Sequence, residues 1–511
     1  MPSADYVLVI DFGGQYTQLI ARKIRELEVF SEIVPFNKAL EKIAAQRPAG
    51  IVLSGGPSSI YQQDAPRLPD EVFKLGIPML GICYGMHLMA RYLGGTIAAS
   101  DNREYGKTLL YVEPSTELLA GVPNNTVVWM SHRDKVTNLP DTCRPTAHTD
   151  GCPVAAFSRQ HLHAVQFHPE VSHTQAGRQV LHNFLHRVCR IRAEYTAGNF
   201  IREQVAALRR QVGGHGVVLG LSGGVDSSVT AALLHRAIGD RLYPIFVDNG
   251  LLRYQESERI RRYFTTTLGM RVIFADAGKQ FLDRLQGVTD PIKKRRIIGE
   301  TFIRVFEKQA EDLRDIRFLA QGTLYPDVIE SVSVKGPSSM IKPHHNVGGL
   351  PEQMDLELIE PLRYLFKDEV RRIGRELGLP DQVIGRHPFP GPGLAVRILG
   401  AVTPEKVALL QQADHIMLQE VRKAGYYDRL WQAFAVLLPV KTIGVMGDEG
   451  TYEQVIALRA VESEDAMTVD WAKLPHSLLE TISSRITSEV QGVNRVVYDI
   501  TSKPPGTIEW E

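Results

Sequence analysis

Ile77-Pro78-Met79-Leu80-Gly81-Ile82-Cys83-Tyr84-Gly85-Met86-His87 runs from an apolar strand through a sharp turn into a helical pattern that ends at Gly94-Gly95. Glycines on both sides of Cys83 allow a strained turn to push the thiol outward, as in a nucleophile elbow, and the helix N-terminus below it favours a thiolate. The same segment, taken alone, equally suits a buried structural cysteine. Upstream, Tyr6 to Ile10, Glu32 to Val34 and Gly50 to Leu53 read as buried strands alternating with helical patterns. That alternation predicts a parallel, helix-covered sheet. From about 107 to 167 the pattern changes to strands without long helices, including Thr126 to Met130 and Leu162 to Phe167. A helix from roughly Ala176 to Arg190 closes this first domain.

A reactive thiol needs a base, and Val165-Gln166-Phe167-His168-Pro169-Glu170 offers one where an apolar strand ends. Proline forces the residue before it into extended geometry, so His168 and Glu170 can project to one side and the carboxylate can orient the imidazole. The logic is that of a Cys83-His168-Glu170 triad. His161, His163 and His173 read as structural residues.

These motifs resemble the class I glutamine amidotransferases over roughly residues 5 to 190. The resemblance implies thiolate attack on a glutamine carboxamide, release of ammonia and hydrolysis of a glutamyl thioester. Leu53-Ser54-Gly55-Gly56-Pro57, an ordinary turn when taken alone, matches that family's oxyanion loop, with the Gly55 and Gly56 amides and the Tyr84 amide as donors. Two positions depart from the family pattern: His87 stands where glutamine is common and helps hold substrate, and Arg133 where glycine follows Ser131-His132.

A second alternating series contains Val217 to Leu221, Leu242 to Val247, Arg271 to Phe274 and Arg317 to Ala320, and predicts a second α/β sheet. Its boundary falls near Ala193 to Asn199, before a helical pattern at Phe200 to Gln211. Ser222-Gly223-Gly224-Val225-Asp226-Ser227-Ser228 joins the first of these strands to a helix. Backbone amides freed by the glycines, the hydroxyls of Ser222, Ser227 and Ser228 and the helix dipole make a phosphate cradle, and Asp226 could organise magnesium. The loop lacks a Walker A ending. It resembles the ATP pyrophosphatases, which implies binding of the β and γ phosphates of Mg²⁺-ATP and formation of a substrate adenylate. In that family Val247 to Gly250 borders the adenosine, although as residues they equally read as a simple turn. Lys367 resembles a lysine that neutralises pyrophosphate, its alternative being a solvated helix position. The glycine-rich 344–350 stretch looks like part of a lid over ATP.

A class I amidotransferase placed ahead of such a loop resembles the GMP synthetase family across essentially the whole chain, through Gln321 to Asp327, Lys342 to Gly349, Leu365 to Glu369 and His387 to Arg397. The dense prolines and glycines of 387–393 forbid regular structure and begin a third, smaller domain with a helix from Pro404 to Lys423. The family's dimerisation domain ends in a stretch that binds xanthosine monophosphate (XMP), here Val493 to Glu511, which by composition alone reads as a solvated tail. The resemblance implies XMP contacts at Arg495, Lys503, Ile508 and Glu509. The basic run Lys293 to Arg296 reads mostly as a solvated helix face, with Arg295 assigned to the nucleotide phosphate.

The expected architecture is therefore two doubly wound α/β domains, 1–195 and 196–390, and an α+β dimerisation domain, 391–511. Lys plus Arg equals Asp plus Glu, 58 against 58, so no overall field favours nucleic acid or a membrane. Four scattered cysteines and the absence of a basic leader or long apolar run imply a cytoplasmic protein. Glutamine, ATP and XMP are the expected substrates and a homodimer the expected state. The rival readings are an amidotransferase acting on another adenylated acceptor and a non-catalytic glutamine-sensing protein.

Overall fold

Short buried runs set the first sheet. Strands β1 (Tyr6–Asp11), β2 (Phe30–Pro35), β3 (Gly50–Leu53), β4 (Met79–Ile82), β5 (Thr96–Val112), β6 (Thr126–Asn138), β7 (Arg144–His148), β8 (Ala156–Arg159) and β9 (Leu162–Val165) pair in the order β2-β1-β3-β4-β9-β8-β7-β5-β6. β2, β1, β3, β4 and β9 are mutually parallel, and the remaining pairings are antiparallel. Fully buried positions along β1, β3 and β4 explain their continuous apolar character, since helices cover both faces of a parallel sheet. β6 extends to Asn138, well beyond the expected Met130, because it pairs along the length of β5. The helix expected over 176–190 is α-helical from Gly177 to Asn183 and widens into a π turn over Phe184–Val188, which buries the consecutive Phe184 and Leu185.

The computed structural model describes residues 5–113, 116–311, 313–332, 356–446, 449–463 and 468–511. The chain divides into two units, Met1–Glu203 with Pro326–Met340, and Gln204–Tyr325 with Ile341–Glu511. In the second, β10 (Gly216–Gly220), β11 (Leu242–Asp248), β12 (Ile273–Asp276), β13 (Ile316–Ala320) and β14 (Glu357–Ile359) form an all-parallel sheet in the order β12-β11-β10-β13-β14. Three strands of the C-terminal segment, β15 (Gln432–Met446), β16 (Glu449–Glu462) and β17 (Asp470–Trp471), pair antiparallel, and β18 (Val493–Tyr498) joins β16 in parallel. The helix Pro404–Lys423 has the predicted bounds, with proline at its first position and the Thr403 hydroxyl accepting from the Lys406 amide. One hydrophobic cluster runs from Val218 and Ile245 through Leu394 and Ile398 to Leu410, Ile456 and Val493, so the sheet of this unit and its C-terminal segment share a core.

Candidate active sites

The carboxyl ends of three neighbouring strands, β3, β4 and β9, converge on the first site. Cys83 follows β4 as the residue before helix α1 (Tyr84–Tyr92), with φ 53° and ψ −105°. A non-glycine residue in such a conformation carries about 1–3 kcal/mol of strain. Close packing sustains it: a Cβ on Gly81 would lie 2.7 Å from the Gly85 carbonyl oxygen, and one on Gly85 2.5 Å from Leu53 Cβ. Gly85 is therefore required because the elbow presses against β3, and Gly81 because the turn folds back on Gly85 and Met86.

β9 lies beside β4 in register, Ile82 opposite Val165, which brings the following His168 to the thiol. His168 Nδ1 lies 2.7 Å from Glu170 Oε1, and the two side chains are 6% and 0% exposed. Burial works against charge on this imidazole, but the Glu170 carboxylate and the Cys83 side chain outweigh it and hold the His168 pKa well above its ordinary value. With Nδ1 on Glu170, Nε2 is left for Cys83. Cys83 Sγ also lies 3.7 Å from the Ser131 carbonyl oxygen of β6. A Cβ on Gly55 would come within 3.1 Å of His168 Cε1 and 3.8 Å of Cys83 Cβ, so the loop after β3 walls the site. Tyr84 opens α1, where backbone amides have no helical acceptor.

Of the two departures, His87 is buried with Nε2 2.8 Å from Gln166 Oε1, and burial pushes its pKa down to about 4, so it is neutral near pH 7. Arg133 is exposed and reaches the Tyr105 hydroxyl. His161 and His163 bond the Phe73 carbonyl and the Ser158 hydroxyl, and His173 packs on Trp129.

The second site lies where the parallel strand order changes direction, at the end of β10. Gly223 adopts φ 73°, and a Cβ there would meet Ile260 Cδ1 at 2.3 Å. Helix α2 (Val225–Ile238) follows, and Ser222 and Ser227 bond each other at 3.0 Å around the loop. Ser228 differs from them in being fully buried; its hydroxyl donates to the Gly224 carbonyl at 2.7 Å, an oxygen that Ser227 also reaches at 3.1 Å. The Asp226 carboxylate is held by Lys367 Nζ at 2.6 and 2.7 Å, so the lysine faces the loop and is not a stray surface residue. Val247 is buried near the end of β11. Beside Gly223 opens a cleft of about 890 Å³ lined by Arg253, Glu256, Arg259, Arg386 and Arg422 among others. Lys342 to Gly349 and the 344–350 stretch lie outside the described residues.

The C-terminal stretch is docked, which corrects the reading of a solvated tail. Glu509 is gripped by the fully buried Arg397 at 2.8 and 3.0 Å and accepts from Gln432 at 2.7 Å. Ile508 packs on the small cluster of Phe434, Val436 and Ala457. Arg295 donates to the Glu511 main-chain oxygen at 2.5 Å, and Lys294, 0% exposed, bonds the Glu511 carboxylate. The basic run is thus no uniformly solvated face: Lys294 turns inward because the Ala395 and Ile398 carbonyls and Glu511 satisfy its ammonium. Arg495 finds its partners on β15, at Thr442 and Ile443, and the Lys503 backbone pairs with Val469. Sequence reasoning missed Arg397, Lys294 and Gln432 as anchors. The only signal was the position of Arg397 at the end of the proline- and glycine-rich stretch.

Residues 8–188 match the family model of glutamine amidotransferase class-I, residues 195–279 that of NAD synthase, and residues 419–510 that of the GMP synthase C terminal domain. Fold and matches together define the class: a class I glutamine amidotransferase joined to an ATP pyrophosphatase domain and a C-terminal domain. The chain is 56% identical to a glutamine-hydrolysing GMP synthase of a Nitratiruptor species, covering 99% of both chains, and 56% identical to one of Carboxydothermus hydrogenoformans, covering 99% of this chain and 100% of that one. It belongs to the family of glutamine-hydrolysing GMP synthases. Among solved structures, a putative GMP synthase subunit from Thermoplasma acidophilum is 31% identical over 36% of this chain and 94% of that one, with a TM-score of 0.32.

Proposed function

We propose that this chain, a ligase, carries out glutamine-dependent GMP synthesis, XMP + ATP + glutamine + H2O giving GMP + AMP + pyrophosphate + glutamate, through segments 1–195, 196–390 and 391–511. The observation that carries the reading is the Cys83-His168-Glu170 constellation in a chain that also holds a complete phosphate loop. The Cys83 thiolate attacks the glutamine carboxamide carbon, and the Gly55, Gly56 and Tyr84 amides face the developing oxyanion. His168 gives its proton to the departing ammonia and then activates the water that releases glutamate. In the second half-reaction an XMP carbonyl oxygen displaces pyrophosphate from ATP, and ammonia then displaces AMP. Ser222 to Ser228 cradle the phosphates, with Ser228 shaping the loop from within, and Val247 borders the adenosine. Asp226 and the loop hydroxyls are hard oxygen donors that suit Mg²⁺. When bound with ATP, that ion neutralises charge building on the phosphates. Lys367 provides a second positive charge for pyrophosphate. Arg295, Arg495, Lys503, Ile508 and Glu509 form the XMP set, Arg397 holding Glu509 in place. GMP and pyrophosphate should form from XMP and Mg-ATP with either glutamine or ammonium. Pyrophosphate release with another purine nucleotide but none with XMP would transfer the assignment to a different adenylated acceptor.

Because Glu170 and Cys83 hold the His168 pKa up, the glutaminase rate should fall on the alkaline side only above the ordinary imidazole range near about 6.5. Glu170→Gln removes the largest charge favouring the imidazolium. It should move that limb to lower pH and reduce kcat by about 10²-fold. A pH profile of glutamate release with an unmoved limb would disprove this role.

A homodimer is supported by an apolar strip on the C-terminal sheet: Ile443 and Val445 are each 77% exposed, and Tyr452, in register with Ile443, is 66% exposed. Ile443→Glu should shift the protein from dimer to monomer in sedimentation velocity, and a monomeric wild type would refute the assignment. No helix among the described residues is long and apolar enough to cross a membrane. A cytoplasmic setting is supported by the four free cysteines.

A further inference from the structure

Strand β6 supports both reacting groups of the glutaminase: its Ser131 carbonyl oxygen lies 3.7 Å from Cys83 Sγ, and its Trp129 carbonyl accepts from the His168 amide at 3.0 Å. Next along the strand, His132 is buried and stands in register with Glu104 of β5, where the ladder resumes after a shift between Ala99 and Glu104. His132 Nδ1 lies 3.0 Å from the Asp134 carbonyl oxygen, which only accepts, so Nδ1 carries a hydrogen. The other ring nitrogen, Nε2, lies 3.1 Å from Glu104 Oε2, while Glu104 Oε1 accepts from the Thr149 hydroxyl at 3.0 Å. A neutral imidazole and an ionised carboxylate would then oppose two lone pairs across 3.1 Å. A positive centre must lie between them, either a proton or a metal ion shared with Cys152, whose Sγ falls within 4.8 Å of the other two ligand atoms.

Burial lowers the His132 pKa and Glu104 opposes that shift, so the proton rests on the geometry of the two acceptors, while the nearby thiol argues against a metal. Burial, reinforced by Glu104, pushes the Cys152 thiol up to about 12, and its Sγ is directed at the Val154 carbonyl oxygen at 3.2 Å, whereas a metal ligand must be a thiolate. We propose that Glu104 and His132 bind one shared proton and act as positioning residues, fixing β6 so that the Ser131 carbonyl stays against Cys83. The proposal rests on the glutaminase reading of Cys83. Glu104 and His132 act in it through the strand they pin.

Glu104→Gln and Glu104→Ala separate the possibilities. A glutamine amide donates to Nε2 of a neutral His132 while its oxygen accepts from Thr149, so no shared proton is needed. Glu104→Gln should keep kcat for glutamate release within about threefold of wild type, and Glu104→Ala should lower it about tenfold to a hundredfold with little change in KM. Ammonium-driven GMP formation should be unaffected in both. Wild-type glutaminase in Glu104→Ala overturns the positioning role, and Glu104→Gln as impaired as Glu104→Ala overturns the hydrogen-bonding account. One molar equivalent of zinc retained by wild type and lost by Cys152→Ser replaces the proton with a metal and also overturns it. Glutamate release that survives in Cys83→Ala, run alongside, instead removes the glutaminase reading itself.

Discussion

Cys83→Ala should lose glutamine-driven GMP formation by about 10⁴-fold or more, the scale on which removal of a covalent nucleophile acts, while ammonium-driven formation stays within about twofold of wild type. The direction follows from chemistry: His168 and Glu170 can polarise water, but without sulfur no thioester forms and the carboxamide is left to direct hydrolysis. Alanine retains the Cβ, so the left-handed backbone at φ 53° is no more strained than with cysteine and the elbow should survive. Paired assays with glutamine and ammonium check this. Equal losses with both nitrogen sources would place Cys83 outside the glutaminase step, and unchanged glutamine use would remove it from the mechanism.

Asp226→Asn should depress GMP formation from both nitrogen sources by about 10²- to 10³-fold, since a charged group at the phosphates contributes to every turnover of the adenylating step. Asparagine preserves the volume packed at Gly322, where a Cβ would stand 3.2 Å from Asp226 Cβ, so the loss reports charge and not a collapsed loop. Lys367, 2.6 and 2.7 Å from the carboxylate, loses its anionic partner at the same time. Pyrophosphate release and glutamate release should therefore be measured separately. A variant that keeps full ammonium-driven synthesis would exclude Asp226 from nucleotide chemistry.

Much of this protein was legible in one dimension because its signals are local. Apolar runs separated by helical patterns define parallel strands, Thr403-Pro404 marks a helix start, and Cys83 and Ser222 to Ser228 each occupy a strand-to-helix junction whose turn chemistry is written in adjacent glycines. The motif order also carried the resemblance that led to the family. The extent of β6 was underestimated because its length depends on a partner strand, β5, and not on its own composition.

Local pattern and turn chemistry thus suffice for the strands and the junctions, and they single out the candidate reacting residues. Three-dimensional pairing alone decides which polar groups are available and which are already occupied. Ser228 reads like its neighbouring serines but is fully buried. Lys294 reads like a solvated base but is buried against Glu511, 217 residues away, and Glu509 reads like a free acceptor but is held by Arg397 across 112 residues. The His132–Glu104 pair is equally silent in the sequence, because it arises from cross-strand register after a ladder shift. The physical reason is common to all four: a buried polar atom must find a partner, and folding chooses that partner by proximity in space, which spacing along the chain does not encode.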